Sequence, residues 1–167
     1  MSSATIEDDL FGKLSVVIND SCVTVCGDRL PEVVLRRKEG ATINTYVPIG
    51  TRDPAGLSLS VDGSDALISP RPGKYSRRSY RVTAEFGGAR YLLTPASATT
   101  SRLLRDGQPL GDLSTPESGQ ISAEWTDINA VGPTDAAIGY ALAASFGAGA
   151  RLFVFVMLEG IVDAGPG

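Results

Sequence analysis

Apolar and polar residues alternate along most of this chain with a period of two, the pattern of strands that turn one face toward a core. Tyr80, Val82, Ala84 and Phe86 fall on one side of such a stretch, and Arg81, Thr83 and Glu85 fall on the other. Dipeptides that supply positive φ angles punctuate the alternation. Asp62-Gly63 separates Leu57–Val61 from Ser64–Ser69, Gly87-Gly88 separates Tyr80–Phe86 from Ala89–Thr94, and Asp106-Gly107 separates Ser101–Arg105 from Gln108–Leu113. Each predicts a tight hairpin. A looser turn at Asn19-Asp20-Ser21 predicts a fourth, joining Leu14–Ile18 to Cys22–Cys26. Strands at this spacing predict a mainly β fold, an antiparallel barrel or sandwich built from hairpins. Pro31–Gly40, Pro70–Arg78 and Thr115–Gln120 lack the alternation and read as loops. Met1–Leu10, polar and acidic, reads as a flexible tail, leaving residues 11–167 as a single domain.

The pattern changes at Pro133-Thr134-Asp135, where a Thr or Asp cap and an acidic first turn suit the start of a helix. From Ala136 to Ala150 the chain carries no charge, and Gly147-Ala148-Gly149 predicts a stop, which places an apolar helix near residues 135–147. Gly139, Ala143 and Gly147 form a small-residue stripe beside the bulky stripe Ile138, Leu142 and Phe146. A helix apolar on every side must be enclosed by its own protein or by lipid. Its uncharged part spans about 22 Å, short of a hydrocarbon core of roughly 30 Å. Extension through the apolar run Leu152–Leu158 would bury Arg151, at a cost of about 3 kcal/mol. Enclosure by a sheet is therefore expected over a lipid span, and Leu152–Leu158 is open between strand and helix.

Composition narrows the chemistry. With 167 residues the chain is long enough to bury a core without metal or disulfide. There is no His, which removes the commonest general base and any Ser-His or Cys-His nucleophilic pair, so a non-enzymatic role is expected and no cofactor is implied. Glu117, Glu124, Asp127 and Asp135 match no cation-binding spacing and read as solubilising surface carboxylates. Cys22 and Cys26, on one predicted strand, are separated by roughly 13 Å, too far for a disulfide, and are expected to be free thiols packed in the interior. The polar, acidic start lacks the features of a secretory signal, from which a cytoplasmic location is expected.

The net charge of −4 hides a segregation: residues 1–70 carry −4, residues 71–105 carry +7 and residues 106–167 carry −7. The basic third contains Lys74-Tyr75-Ser76-Arg77-Arg78-Ser79-Tyr80-Arg81, in which cations alternate with hydroxyls and aromatics. Arg offers forked donors to phosphate oxygens, Lys a mobile charge, and Ser or Tyr an orienting hydroxyl. Lys74, Tyr75, Arg77, Arg78 and Arg81 are the candidate ligand-binding residues; solvated arginines on a strand surface are the plainer alternative.

The hairpin Ser101–Leu113, then Trp125, then an Asp-initiated apolar helix and Phe153-Val154-Phe155-Val156-Met157-Leu158-Glu159 resemble the tubby C-terminal-like superfamily, which includes phospholipid scramblases and LURP-one-related proteins. That resemblance covers residues 80–159 and implies an antiparallel barrel around a central hydrophobic helix. It also implies a binding module for phosphoinositide or membrane. Two functions follow as expectations: a non-catalytic module that binds anionic phospholipid headgroups or another phosphate ligand, peripheral to a membrane, or an assembly protein that self-associates as a homo-oligomer through its apolar end, sheet edges and opposed charges. Nucleic acid fits less well, because the total charge is negative.

Overall fold

The computed structural model describes residues 2–44, 47–73, 77–115 and 120–147, with Arg77 and Arg78 described by their backbone. Eleven strands follow one another: β1 (Ser2–Asp8), β2 (Gly12–Ile18), β3 (Cys22–Gly27), β4 (Leu30–Arg37), β5 (Leu57–Val61), β6 (Ser64–Pro70), β7 (Val82–Phe86), β8 (Ala89–Pro95), β9 (Thr100–Arg105), β10 (Gln108–Ser114) and β11 (Ser122–Trp125). Each pairs antiparallel with the next, so sequence order is spatial order. The sheet curls into a nearly closed barrel around one helix, α1 (Pro133–Phe146).

All four expected hairpins form. Asp62 and Asp106 adopt positive φ, 48° and 50°, as the first residues of their turns, and their carboxylates also accept N–H bonds from Glu32 at 2.8 Å and Arg90 at 2.9 Å in neighbouring hairpins. Bulges in β3 and β10 add the local bend that curvature requires. In β10 the bulge accompanies Gly111, where a Cβ would lie 2.5 Å from the Glu124 carbonyl, so only glycine lets β11 approach.

Three expectations change. Ser2–Asp8 is no loose tail: Ile6 and Asp8 turn inward, and the segment pairs along its whole length with β2. Pro31–Gly40 is no loop, because β4 runs to Arg37 with Val33 and Leu35 fully buried; the Arg36-Arg37-Lys38 cluster masks a strand whose apolar positions alternate. Part of Pro70–Arg78 is ordered too, with a 3-10 turn at Arg77–Tyr80, and Thr115–Gln120 and Leu152–Leu158 fall partly or wholly outside the described residues.

Helix α1 is buried on every face from Asp135 to Phe146, as its uncharged sequence requires. Gly139 explains how closely it fits: a Cβ there would stand 2.8 Å from the Leu103 side chain of β9. The N-cap is Gly132, with Pro133 in the first turn; Asp135 sits three residues inside and accepts the Gly132 N–H at 2.8 Å. Asp135 is thus no surface carboxylate. It also accepts the Tyr91 hydroxyl at 2.6 Å and pairs with Arg105.

An odd number of up-and-down strands makes β1 and β11 run in the same direction where the barrel closes. Among the described residues no ladder joins them. Side chains close the seam instead: buried Asp8 accepts the Trp125 indole N–H at 2.9 Å, the Tyr140 hydroxyl at 2.5 Å and the N–H groups of Leu10 and Phe11. The Trp125 ring meets Phe11 and Tyr140 edge-on. Among the described residues no helix is long and apolar enough to cross a membrane.

Candidate functional site

A concavity lined in large part by the basic third lies outside the barrel, on the face of β6 to β9. It is a trough of about 790 Å³ lined by Ser69, Arg71, Arg81, Thr83, Arg90, Leu92, Leu104, Asp106 and Gly107. Strand alternation puts these residues together, because Val82 and Ala84 turn inward and force Arg81 and Thr83 out. Register then aligns a row across four strands: Ser69 faces Thr83, Thr83 faces Leu92, and Leu92 faces Leu104.

The ends of the trough differ in charge. At one end the Arg71 N–H bonds the Arg81 carbonyl at 2.9 Å, which carries the pairing of β6 and β7 one step past Pro70 and brings two arginines to facing positions in the lining of the trough. Like charges in that relation repel. Among the described residues neither is in an ion pair. Ser69 adds a hydroxyl; that of Thr83 is engaged, donating to the Ser69 carbonyl at 3.2 Å. At the other end Arg90 stands across from Glu85, and its backbone N–H donates to the Asp106 carboxylate at 2.9 Å, so its charge is flanked by two acids.

Arg52 supports the cationic end from beneath. It is only 8% exposed, donating to the carbonyls of Arg71 at 2.8 Å and Tyr80 at 3.2 Å. Its guanidinium lies 5.1 Å from the Tyr80 ring centre and 5.4 Å from that of Phe146 on α1. Burial pulls it down to about 10, against a smaller opposing pull from Tyr80, and it remains charged at neutral pH. One buried cation thus ties the ends of β6 and the Arg77–Tyr80 turn to the enclosed helix.

Of the residues expected from sequence, Arg81 lines the trough. Arg77 and Arg78 have their backbone in the adjoining 3-10 turn, and Lys74 and Tyr75 lie outside the described residues. Sequence reasoning missed Ser69, Arg71 and Arg52. Ser69 was within reach, since the Asp62-Gly63 hairpin fixes its strand; Arg71 lay in an expected loop, and nothing local marks Arg52 as buried.

The thiols of Cys22 and Cys26 are free, Cys22 buried and Cys26 only half-buried, against the expectation of interior packing for both; Cys26 Sγ lies 3.2 Å from the Ser15 hydroxyl. Among the described residues no cluster of acidic or thiol groups is placed to hold a metal. Glu124 and Asp127 are exposed, as expected. Comparison with protein-family models, with curated proteins and with solved structures finds no match for this chain.

Proposed function

We propose that this protein is a non-catalytic binding module for a phosphate-bearing anion, held at the cationic end of the outer trough. The observation that carries the reading is the juxtaposition of Arg71 and Arg81, two arginines at facing backbone positions that line one trough and have no carboxylate partner among the described residues. An anion between them offsets their repulsion and takes forked hydrogen bonds from both. Lys74, Tyr75, Arg77 and Arg78 belong by sequence to the connection between these two arginines, where Lys74, Arg77 and Arg78 add positive charge. A barrel around an apolar helix is also the architecture that the tubby-like resemblance implies, and membrane headgroups are the ligand class it suggests. Nucleic acid suits the trough less well, because no aromatic ring is among its described lining residues to stack on a base.

Co-sedimentation with vesicles tests the reading. The protein is expected to pellet with vesicles containing phosphatidylserine and to stay in solution with neutral phosphatidylcholine vesicles, and the double variant Arg71→Gln/Arg81→Gln is expected to lose the difference. Equal binding to both vesicle types, or retention by the double variant, overturns it.

A second reading, self-association, rests on the seam. The outer edge of β1 is unpaired among the described residues, and a groove of about 490 Å³ runs along Ser2–Ile6. A single monomeric mass by light scattering across a salt series would remove it.

A further inference from the structure

The trough is not uniformly polar. Beside the paired arginines its floor becomes apolar, and Leu92 and Leu104 stand half-buried side by side on the outside of the barrel, where exposed polar residues would be the default. They continue the row that begins with Ser69 and Thr83. Adjacent strands lie about 4.8 Å apart, so Leu104 is roughly 10 Å from Thr83 across the sheet. Past the leucines the wall turns acidic again at Asp106, which disfavours a second anion at that end.

A head site of two cations and a hydroxyl, an apolar floor of two leucines about 4.8 Å apart on adjacent strands, and a carboxylate at the far end together specify a ligand with one anionic head and one apolar body. We infer that the trough takes an amphipathic phosphate monoester, with the phosphate between Arg71 and Arg81 near Ser69 and the hydrocarbon laid over Leu92 and Leu104. This rests on the anion-binding reading and adds to it the half of the ligand that carries no charge. Arg52 holds the backbone at Arg71 and Tyr80 from below, which fixes where the head-site arginines leave the chain.

Calorimetric titration of the full chain with inorganic phosphate, hexyl phosphate and hexanol tests the inference. Hexyl phosphate is expected to bind at least tenfold more tightly than inorganic phosphate, and hexanol not to bind. Leu92→Ser/Leu104→Ser is expected to bring hexyl phosphate to the level of inorganic phosphate and to leave inorganic phosphate unchanged, with an unaltered far-ultraviolet circular dichroism spectrum. Leu67→Ser, an exposed leucine on the same face outside the trough, is expected to change neither.

Inorganic phosphate bound as tightly as hexyl phosphate overturns the inference and spares the anion site. Failure of both phosphates to bind overturns the anion site as well. Vesicles containing phosphatidate distinguish the source of the ligand. Binding to them that the leucine variant loses identifies a bilayer lipid, whereas tight hexyl phosphate binding without vesicle binding identifies a free amphiphile; either supports the inference.

Discussion

The interior of the barrel and its outer trough treat charge in opposite ways. Inside, both buried carboxylates are saturated: Asp8 takes four donors from the β1–β2 turn, β11 and α1, and Asp135 takes the Tyr91 hydroxyl, the Arg105 guanidinium and the Gly132 N–H. Outside, Arg71 and Arg81 take facing positions and, among the described residues, pair with no acid. A buried charge without partners would cost several kcal/mol and is eliminated by folding. A solvated pair of like charges costs little and can be kept for a ligand. Full pairing therefore marks the groups that hold this fold together, and missing pairing marks the groups available to something else.

The largest effect that would test this contrast comes from Asp8→Ala. It leaves the Trp125 indole N–H, the Tyr140 hydroxyl and two backbone N–H groups without their acceptor at the seam, and a loss of about 3–5 kcal/mol in chemical denaturation is expected. Asp135→Ala is expected to cost somewhat less, about 2–3 kcal/mol, because Arg105 is a third exposed and water recovers part of its partner. A loss below about 0.5 kcal/mol in either variant would break the assignment of these acids to the fold.

Alkaline pH probes the same clusters from the phenol side. Tyr140 and Tyr91 are both pushed well above the usual phenol range, by burial first and then by their bonds to Asp8 and Asp135. Because the folded-state values are raised, this contribution is complete below the ordinary phenol value near 10 and is lost as pH rises above it, by about 1.4 kcal/mol per pH unit for each phenol. Stability measured from pH 9 to 11 should therefore fall less steeply in Tyr140→Phe than in the parent. The opposite shift of Arg52 is common to both proteins and cancels in the difference. Parallel curves would show that the Tyr140 hydroxyl is not held as described.

The smallest effect belongs to the outside. Arg71→Gln or Arg81→Gln is expected to leave stability within about 0.5 kcal/mol of the parent, or slightly raise it by relieving repulsion, while binding to anionic vesicles falls. A thermal melt beside the co-sedimentation assay checks both. A large loss of stability would move the arginines into the class of structural groups.

Most of the architecture was legible in local chemistry. Asp62-Gly63, Gly87-Gly88 and Asp106-Gly107 announce their hairpins because few residues enter positive φ without strain, and the residues at these turns do so. The uncharged run after Pro133 announces a helix enclosed on all sides, with Gly147 at its end in positive φ. The errors fall where a charged or polar surface hides the face turned inward. In β1 an acidic composition concealed Ile6 and Asp8, and in β4 the Arg36-Arg37-Lys38 cluster concealed Val33 and Leu35. Arg81 was legible as an outward cation by alternation, but its partner Arg71 was not, because their meeting depends on how β6 pairs with β7.

The sequence by itself determined the strand rhythm, the turns and the need to enclose α1, since these follow from the conformational limits of single residues and from the solubility of short segments. Only the tertiary structure decided which polar groups are interior and which arginines stand together. Asp8 and Trp125 are far apart in the chain and meet only because the barrel closes. Arg52 becomes a buried support only because Phe146 and the carbonyls of Arg71 and Tyr80 surround it. The energy of a charge is set by what lies within a few ångströms of it, and for these residues those neighbours come from distant parts of the chain.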